Sequence, residues 1–561
     1  MAYTVDAIGH DYSGMPAVAD SAARQRSSRR SAPWLLTGIL AVALFFHLWG
    51  IQRDLPYITD DATWVVNPAI RIAATGDLNP HVFGNPGSTL IYPLSAAYHI
   101  WNAAAHDGRW FHFDAGLRTL PQPGSGDARL SRFHLLGRLF TVLYALLSIL
   151  LVYRIGRETI GRQAALLGAL FAALYPSEMF DKRVRPDSAS LFFGLLTLWF
   201  CVRLFRRPTI ANQLLAGVAI GLAIGTKYYL GTLVAVLLVV DAMILWQHDS
   251  AAGNRRATYL GIVAGLGAVA LGFALCTPYF FLDLATAMRD LKEQMRTSHI
   301  GADGLSPIGN LLWYLTVLPA SLSWPQTAAA VVGIALAIWK HRFEQILLLV
   351  FAVTFLLGIS SSALHWERWL IPVLPVFALF AAHGLLTTVA QLTGRFGLRH
   401  LVQSLSLVAL IGICCLPSVQ RLVQMDRLYS NPSTSVLARQ WMTENLPKGS
   451  SIAFEWETLP PPLKADTTNP GFWVNRDAGR NLSELSMSRL AVRGTINWYA
   501  QRAFRYLVTS DLFYAYYPEH ADRYPQEAAF YRELLTQGRL IYQVSPSAEH
   551  TGPEIRIYEI R

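Results

Sequence analysis

Four short runs in this 561-residue chain bring ionisable side chains to the edges of apolar segments. They are Asp60-Asp61 in YITDDATW, Lys182, Arg183, Arg185 and Asp187 in DKRVRPDS, Lys227 in GTKYY, and His365, Glu367 and Arg368 in HWERWLIPVLP. Charge beside hydrocarbon is costly and usually faces a cavity, a partner or the interface. Carboxylates mixed with several cations suit a phosphate-linked substrate. Arg forks onto phosphate oxygens, Lys supplies a compact charge, and a carboxylate takes the proton of an incoming hydroxyl or amine. When a lipid phosphate departs from a sugar carbon, negative charge develops on it, and fixed cations or a metal stabilise that charge. The chemistry these types permit together is glycosyl transfer.

Each run also has a structural reading. Asp60 or Asp61 can cap a helix from Ala62 to Thr75 closed by Gly76, and Asp187 can cap the helix after Pro186. Lys227 can snorkel to headgroups, Arg368 between Trp366 and Trp369 can anchor at the interface, and a lone His365 is commonly structural. What favours chemistry is a shared side, and that depends on the elements that carry the runs.

Hydrophobic residues make up 53% of the chain and charged ones 15%, against about 25% in an ordinary soluble protein, so lipid is the solvent. A crossing needs roughly 20 apolar residues. Runs of that kind begin at Trp34–Ile51 and recur at Phe133–Tyr153, Ala164–Phe180, Ser188–Leu204, Ile210–Thr226, Tyr229–Trp246, Tyr259–Phe281, Pro325–Trp339, Phe343–Ile359, Leu370–Leu386 and Leu401–Leu416. The fold class expected is an α-helical polytopic membrane protein of about 11–13 transmembrane helices. Thr89–Ala105 and Pro307–Ser323 read as helices in or dipping into the outer leaflet; counting both as crossings gives the larger number. Residues 1–33 form a basic cytoplasmic tail with no convincing cleavage site after the first apolar run. Clusters at Arg154, Arg157 and Arg162, at Arg203, Arg206 and Arg207, at Arg255 and Arg256, at Lys340 to Arg342, and at Arg395 to His400 mark the cytoplasmic ends. All four chemical runs then fall on the opposite, outer side. The same distribution explains the net charge of +10 without nucleic acid. Four cysteines inside apolar stretches read as small buried hydrophobes.

Residues 34–424 make the membrane module, with a first outer loop at 52–131, and residues 425–561 a small extracytoplasmic α/β domain. In that domain Asn431-Pro432 starts a helix through Leu446, Ser451–Trp456, Tyr506–Ser510 and Ile555–Ile560 are strands, and Pro525–Gln537 is a helix stopped by Gly538. Gly217, Gly221 and Gly225 recur every four residues, a surface for close helix approach. No HExxH, phosphate-binding loop or nucleotide-binding glycine turn is present, which agrees with a lipid-linked donor over a nucleotide sugar.

The acidic pair in the first outer loop, the R-P-D segment, the G-T-K-Y helix end and the H-x-x-R-[WY]-L-x-P-x-x-P segment together resemble the GT-C class of glycosyltransferases. The branch is that of protein O-mannosyltransferases and bacterial aminoarabinose transferases, glycosyltransferase family 39-like, over Trp34 to Leu386. The resemblance implies Asp60 as catalytic carboxylate with Asp61 as neighbour or substitute, since relatives often carry Asp-Glu there. It implies Asp187 as a second acid and Arg183, Arg185, Lys227, His365 and Arg368 as substrate-binding residues. Asp60 would either activate the acceptor or hold a divalent cation, Mg or Mn, and Asp187 would orient the acceptor or that metal. The run NPGSTLIYP, Asn85 to Pro93, stands where relatives often have Lys-Pro-Pro; that Lys is missing here. Implied partners are a polyprenyl-phosphate sugar donor, a lipid, glycan or protein acceptor, and membrane lipids, at the periplasmic face of a bacterial inner membrane. Two rival classes remain: a transporter or flippase, favoured by acids buried mid-membrane, and a non-catalytic scaffold, favoured by acids too far apart to share a cavity.

Overall fold

The structure, a computed structural model, describes residues 33–57, 62–105, 128–175, 182–247, 252–295, 304–395, 400–447, 450–455, 458 and 490–560. The first apolar run forms α1, Pro33–Leu48. A short π-helical turn, Ala62–Val66, then leads into α2, Asn67–Thr75, which Gly76 ends at φ +73°. There follow α3 (Ser88–Ala105), α4 (Ala128–Thr159), α5 (Arg162–Ala173), α6 (Asp187–Arg206), α7 (Ile210–Thr226), α8 (Leu233–Gln247) and α9 (Ala252–Cys276). Two short helices, α10 (Tyr279–Leu282) and α11 (Leu284–Gln294), precede α12 (Pro307–Leu322), α13 (Trp324–Lys340), α14 (Phe343–Ser360), α15 (Leu374–Arg395) and α16 (His400–Tyr429).

A helix stands at each expected crossing. Among the described residues seven are long and apolar enough to span a bilayer, while α1, α5 and α7 are shorter apolar helices. The chain is a multi-pass, predominantly helical membrane protein. Some boundaries move. Helix α5 ends at Ala173, short of the expected Phe180, and α15 begins at Leu374 instead of Leu370, behind Pro372 and at Pro375. The expected outer-leaflet segment at 307–323 is α12, which meets α13 at a bend of 117° at Ser323. Ser323 takes φ +86°, a conformation that ends one helix and redirects the next.

Close packing sets the position of α7. A Cβ added to Gly217 would lie 2.3 Å from the Gly265 carbonyl oxygen, and one on Gly221 would lie 2.5 Å from Phe273 N and Val269 O. The glycine stripe therefore lets α7 and α9 meet backbone to backbone, as lipid-embedded helices do when no hydrophobic drive joins them. At the opposite end from the chemical runs, Trp199 Nε1 donates to Glu158 at 3.1 Å, and Arg206 lies 3.9 Å from both Glu158 and Glu344. The basic ends of α4, α6 and α14 are thus gathered together.

After α16 the pattern becomes that of a soluble fold. Helix α17, Thr434–Asn445, is capped by Ser433, whose hydroxyl accepts from Val436 N, so the start expected at Asn431-Pro432 moves on by two residues. A four-stranded sheet has the order β1 (Ile452–Phe454), β2 (Tyr506–Ser510), β4 (Ile555–Glu559), β3 (Arg539–Val544). The β1–β2 pair is parallel and the others antiparallel. Tyr506 and Val508 face α17, and Leu507 faces the helix Pro525–Gln537 on the other side, which is the period of two that a covered sheet requires. Strand β3 was not among the expected elements.

Candidate active site

Helices α6 and α7 are antiparallel neighbours joined by a short turn at their basic end, where Arg207 N donates to Arg203 O and Thr209 caps α7. The N-terminus of α6 and the C-terminus of α7 consequently meet at the other end. Asp187 is the first helical residue of α6, and Lys227 is the residue that closes α7. A carboxylate at a helix N-terminus and an ammonium at a C-terminus are each favoured by the helix dipole. Lys227 Nζ donates to Asp187 Oδ1 at 2.6 Å, with both residues almost fully buried, at 6% and 1% exposure. Asp187 therefore does not cap its helix with its side chain, and Lys227 does not snorkel. The other oxygen, Asp187 Oδ2, is buried with no hydrogen-bond partner among the described residues.

Further cations surround the pair. The charges of Arg368 and Arg185 act on the same carboxylate. Arg368 belongs to the 3-10 turn Glu367–Leu370 and lies 4.8 Å over the Trp366 ring. Tyr229 sits 5.7 Å from Lys227 Nζ, with its ring 5.5 Å from that of Trp369. Tyr314 of α12 accepts the Trp366 N–H at 3.3 Å. The run NPGSTLIYP closes against the same corner: Gly87, at φ +53°, donates to Thr226 O at 3.2 Å, and Thr89 and Thr226 hydroxyls lie 2.6 Å apart. Three of the four chemical runs thus share one end of the bundle with the segment standing in for Lys-Pro-Pro.

The other expected residues fall out as follows. Asp60 and Asp61 lie outside the described residues. Arg183 is half-buried in the same loop, its carbonyl accepting the Arg185 N–H at 3.1 Å. His365 is buried with its ring 4.4 Å from Trp313. Glu367 accepts from Ser321 at 3.3 Å, tying the turn to the end of α12. Lys182, grouped in the sequence with Arg183 and Arg185, has a structural place. It is fully buried, and its Nζ donates to the carbonyls of Phe46, His47 and Trp49 at 2.8, 3.0 and 2.5 Å, 3.6 Å from Asp426. Arg138 continues the grip, donating to Ile51 O at 2.6 Å and Arg53 O at 2.9 Å. Two buried cations thereby bind the backbone that leads to Asp60.

Sequence reasoning passed over Tyr229, Tyr314 and Arg138. Tyr229 was marked by its place two residues after Lys227, and Arg138 by being a single charge in the apolar run HLLGRLFTV. A divalent ion does not fit Asp187 alone, because one of its oxygens is already on Lys227 and two further cations, Arg368 and Arg185, act on it. Among the described residues no group of three or more His, Cys, Asp or Glu side chains gathers as a metal site.

Comparison with known proteins follows the same lines. Residues 134–273 match the family described as dolichyl-phosphate-mannose-protein mannosyltransferase, a segment that carries Asp187 and Lys227. ArnT from Cupriavidus metallidurans, crystallised with undecaprenyl phosphate, is similar at 14% identity and a TM-score of 0.50, over 94% of this chain and 98% of that one. An oligosaccharyltransferase from Archaeoglobus fulgidus, tethered to an acceptor peptide, is similar at 14% identity and a TM-score of 0.51, over 93% of this chain and 74% of that one. A search of the curated proteins finds no match to the sequence. The fold is that of GT-C membrane glycosyltransferases.

Proposed function

We propose that the protein transfers a sugar from a polyprenyl-phosphate donor to a lipid, glycan or protein acceptor at the periplasmic face of a bacterial inner membrane. The observation that carries this reading is the buried Lys227–Asp187 pair with Arg368 and Arg185 around it, at the helix ends opposite the basic loops. Its fold is shared with a protein crystallised with undecaprenyl phosphate.

In the reaction, Asp60 or Asp61 accepts the proton of the acceptor hydroxyl as its oxygen bonds to the anomeric carbon. The bond from that carbon to the phosphate oxygen breaks, and its electron pair leaves with the polyprenyl phosphate. Lys227, Arg368 and Arg185 stabilise the charge arriving there, in a site where burial strengthens each interaction. Asp187 keeps Lys227 oriented before the donor enters. A transporter reading is disfavoured by Asp187 standing at a helix end and not within its span.

The test compares membrane glycolipids and glycoproteins by mass spectrometry in cells with the intact gene, with the gene deleted, and with Asp60→Asn plus Asp61→Asn. One glycan species loses a single sugar in both altered strains. Unchanged glycans in the double substitution would remove the catalytic assignment.

A further inference from the structure

A cavity of about 540 Å³ lies between the chain after α1 and the junction of α16 with α17. Its lining includes Gln52, Arg53, Asp54 and Tyr57 on one side and Tyr429 and Gln440 on the other. This is within the usual size of a small-ligand site, and a junction between domains is a common place for one. Both walls are braced. Lys182 and Arg138 bind the carbonyls that precede and include Arg53, Arg53 donates to Thr551 at 3.1 Å and lies 4.0 Å over the Tyr429 ring, and Asp54 accepts the Ser433 N–H at 3.0 Å. Asp54 is held at φ +56°, a conformation that costs a non-glycine residue energy and that surrounding contacts must maintain. Gln52 and Gln440, one on each wall, are exposed.

We infer that this cavity is the acceptor subsite and that it takes the hydroxyl-rich sugar end of a glycolipid, an inference that rests on the glycosyl-transfer reading above. A carboxamide both donates and accepts, as a hydroxyl does, and tyrosine rings present apolar faces to the C–H face of a sugar ring. The lining comes from helix ends and a turn, with no sheet edge to receive an extended peptide. Tyr57 stands three residues before Asp60, so an acceptor held here lies beside the acid pair along the chain. The cation cluster around Lys227 serves the donor phosphate separately.

The experiment uses the full chain in nanodiscs, a panel of radiolabelled undecaprenyl-phosphate sugars, and glycolipids extracted from envelopes of the deletion strain, with envelope proteins as a parallel acceptor. Gln440→Trp, which fills the cavity, and the pair Gln52→Ala plus Gln440→Ala, which only removes hydrogen bonds, each raise the acceptor KM about tenfold. The donor KM stays unchanged in both. An unaltered acceptor KM in both variants, or label passing from the unmodified protein onto polypeptide instead of glycolipid, overturns the subsite while leaving the enzyme standing. No transfer by the unmodified protein to either acceptor overturns the enzymatic reading and the subsite with it.

Discussion

Lys227 and Asp187, 40 residues apart in the chain, share a hydrogen-bonded ion pair of 2.6 Å at the point where two antiparallel helices end. A buried charge that loses its partner is strongly destabilising, on the order of 3–5 kcal/mol, whereas removing both charges is often close to neutral. Lys227→Met therefore lowers the melting temperature in detergent, and Lys227→Met with Asp187→Asn restores much of it. Neither variant transfers sugar or retains undecaprenyl phosphate affinity, because the phosphate partner is gone in both. Recovery of transfer in the double variant would show the pair to be structural.

Asp60→Asn with Asp61→Asn removes the proton acceptor and nothing else in the proposed reaction. General-base loss costs typically about 10²–10⁴-fold in rate. Turnover falls by that order while undecaprenyl phosphate binding, followed by thermal shift, is retained. A loss of lipid-phosphate binding in this variant would reassign the two acids.

The α7–α9 contact leaves no room for a side chain at Gly217. Gly217→Leu forces the helices apart, at a cost of about 1–3 kcal/mol or more, and carries Lys227 away from Asp187. The melting temperature and the transfer rate both fall. Gly412→Ala, where an added Cβ meets nothing within 4 Å, leaves both unchanged and serves as the control.

In the second domain Glu455 is fully buried, receiving the Leu490 N–H at 2.8 Å and the hydroxyls of Thr509 and Tyr531. Burial pushes its carboxyl from 4.5 up to about 7, with those donors opposing the shift. The folded state therefore holds this proton more tightly than the unfolded one. The stabilisation is complete below pH 4.5, declines between pH 4.5 and 7, and is lost above, by about 3 kcal/mol in all. Hydrogen exchange of β2 in the intact protein should speed up across that window, and Glu455→Gln should flatten the profile.

The membrane helices were legible because lipid imposes a length and an apolar composition that the sequence cannot disguise. The glycine stripe was legible for a related reason, since only tight packing rewards Gly217, Gly221 and Gly225 on one face. Strand β3 was not, because its residues are half-buried or exposed where those of β2 are all buried, so it shows no clear alternation between a covered and an open face. The gathering of Asp187, Lys227, Arg185 and Arg368 was expected from sidedness, but the partnership of Lys227 with Asp187 was not, since nothing local says which carboxylate an ammonium will meet. The place of Lys182 was hidden for the same reason. Its neighbours in sequence are Arg183 and Arg185, and its neighbours in space are carbonyls more than 130 positions upstream.

That distant grip sets an order of assembly. Helix α1 is made before the helices that follow it, yet the ammonium that secures its end arrives only with Lys182, and the acid beside that ammonium only with Asp426 in α16. Because chains emerge from the N-terminus onward, α1 waits for its latch until the loop carrying Lys182 has been made, and the buried ammonium then waits for its carboxylate until α16 is inserted. Truncation before α16 would then leave the Lys182 ammonium buried without its counter-charge, however completely the earlier helices had formed.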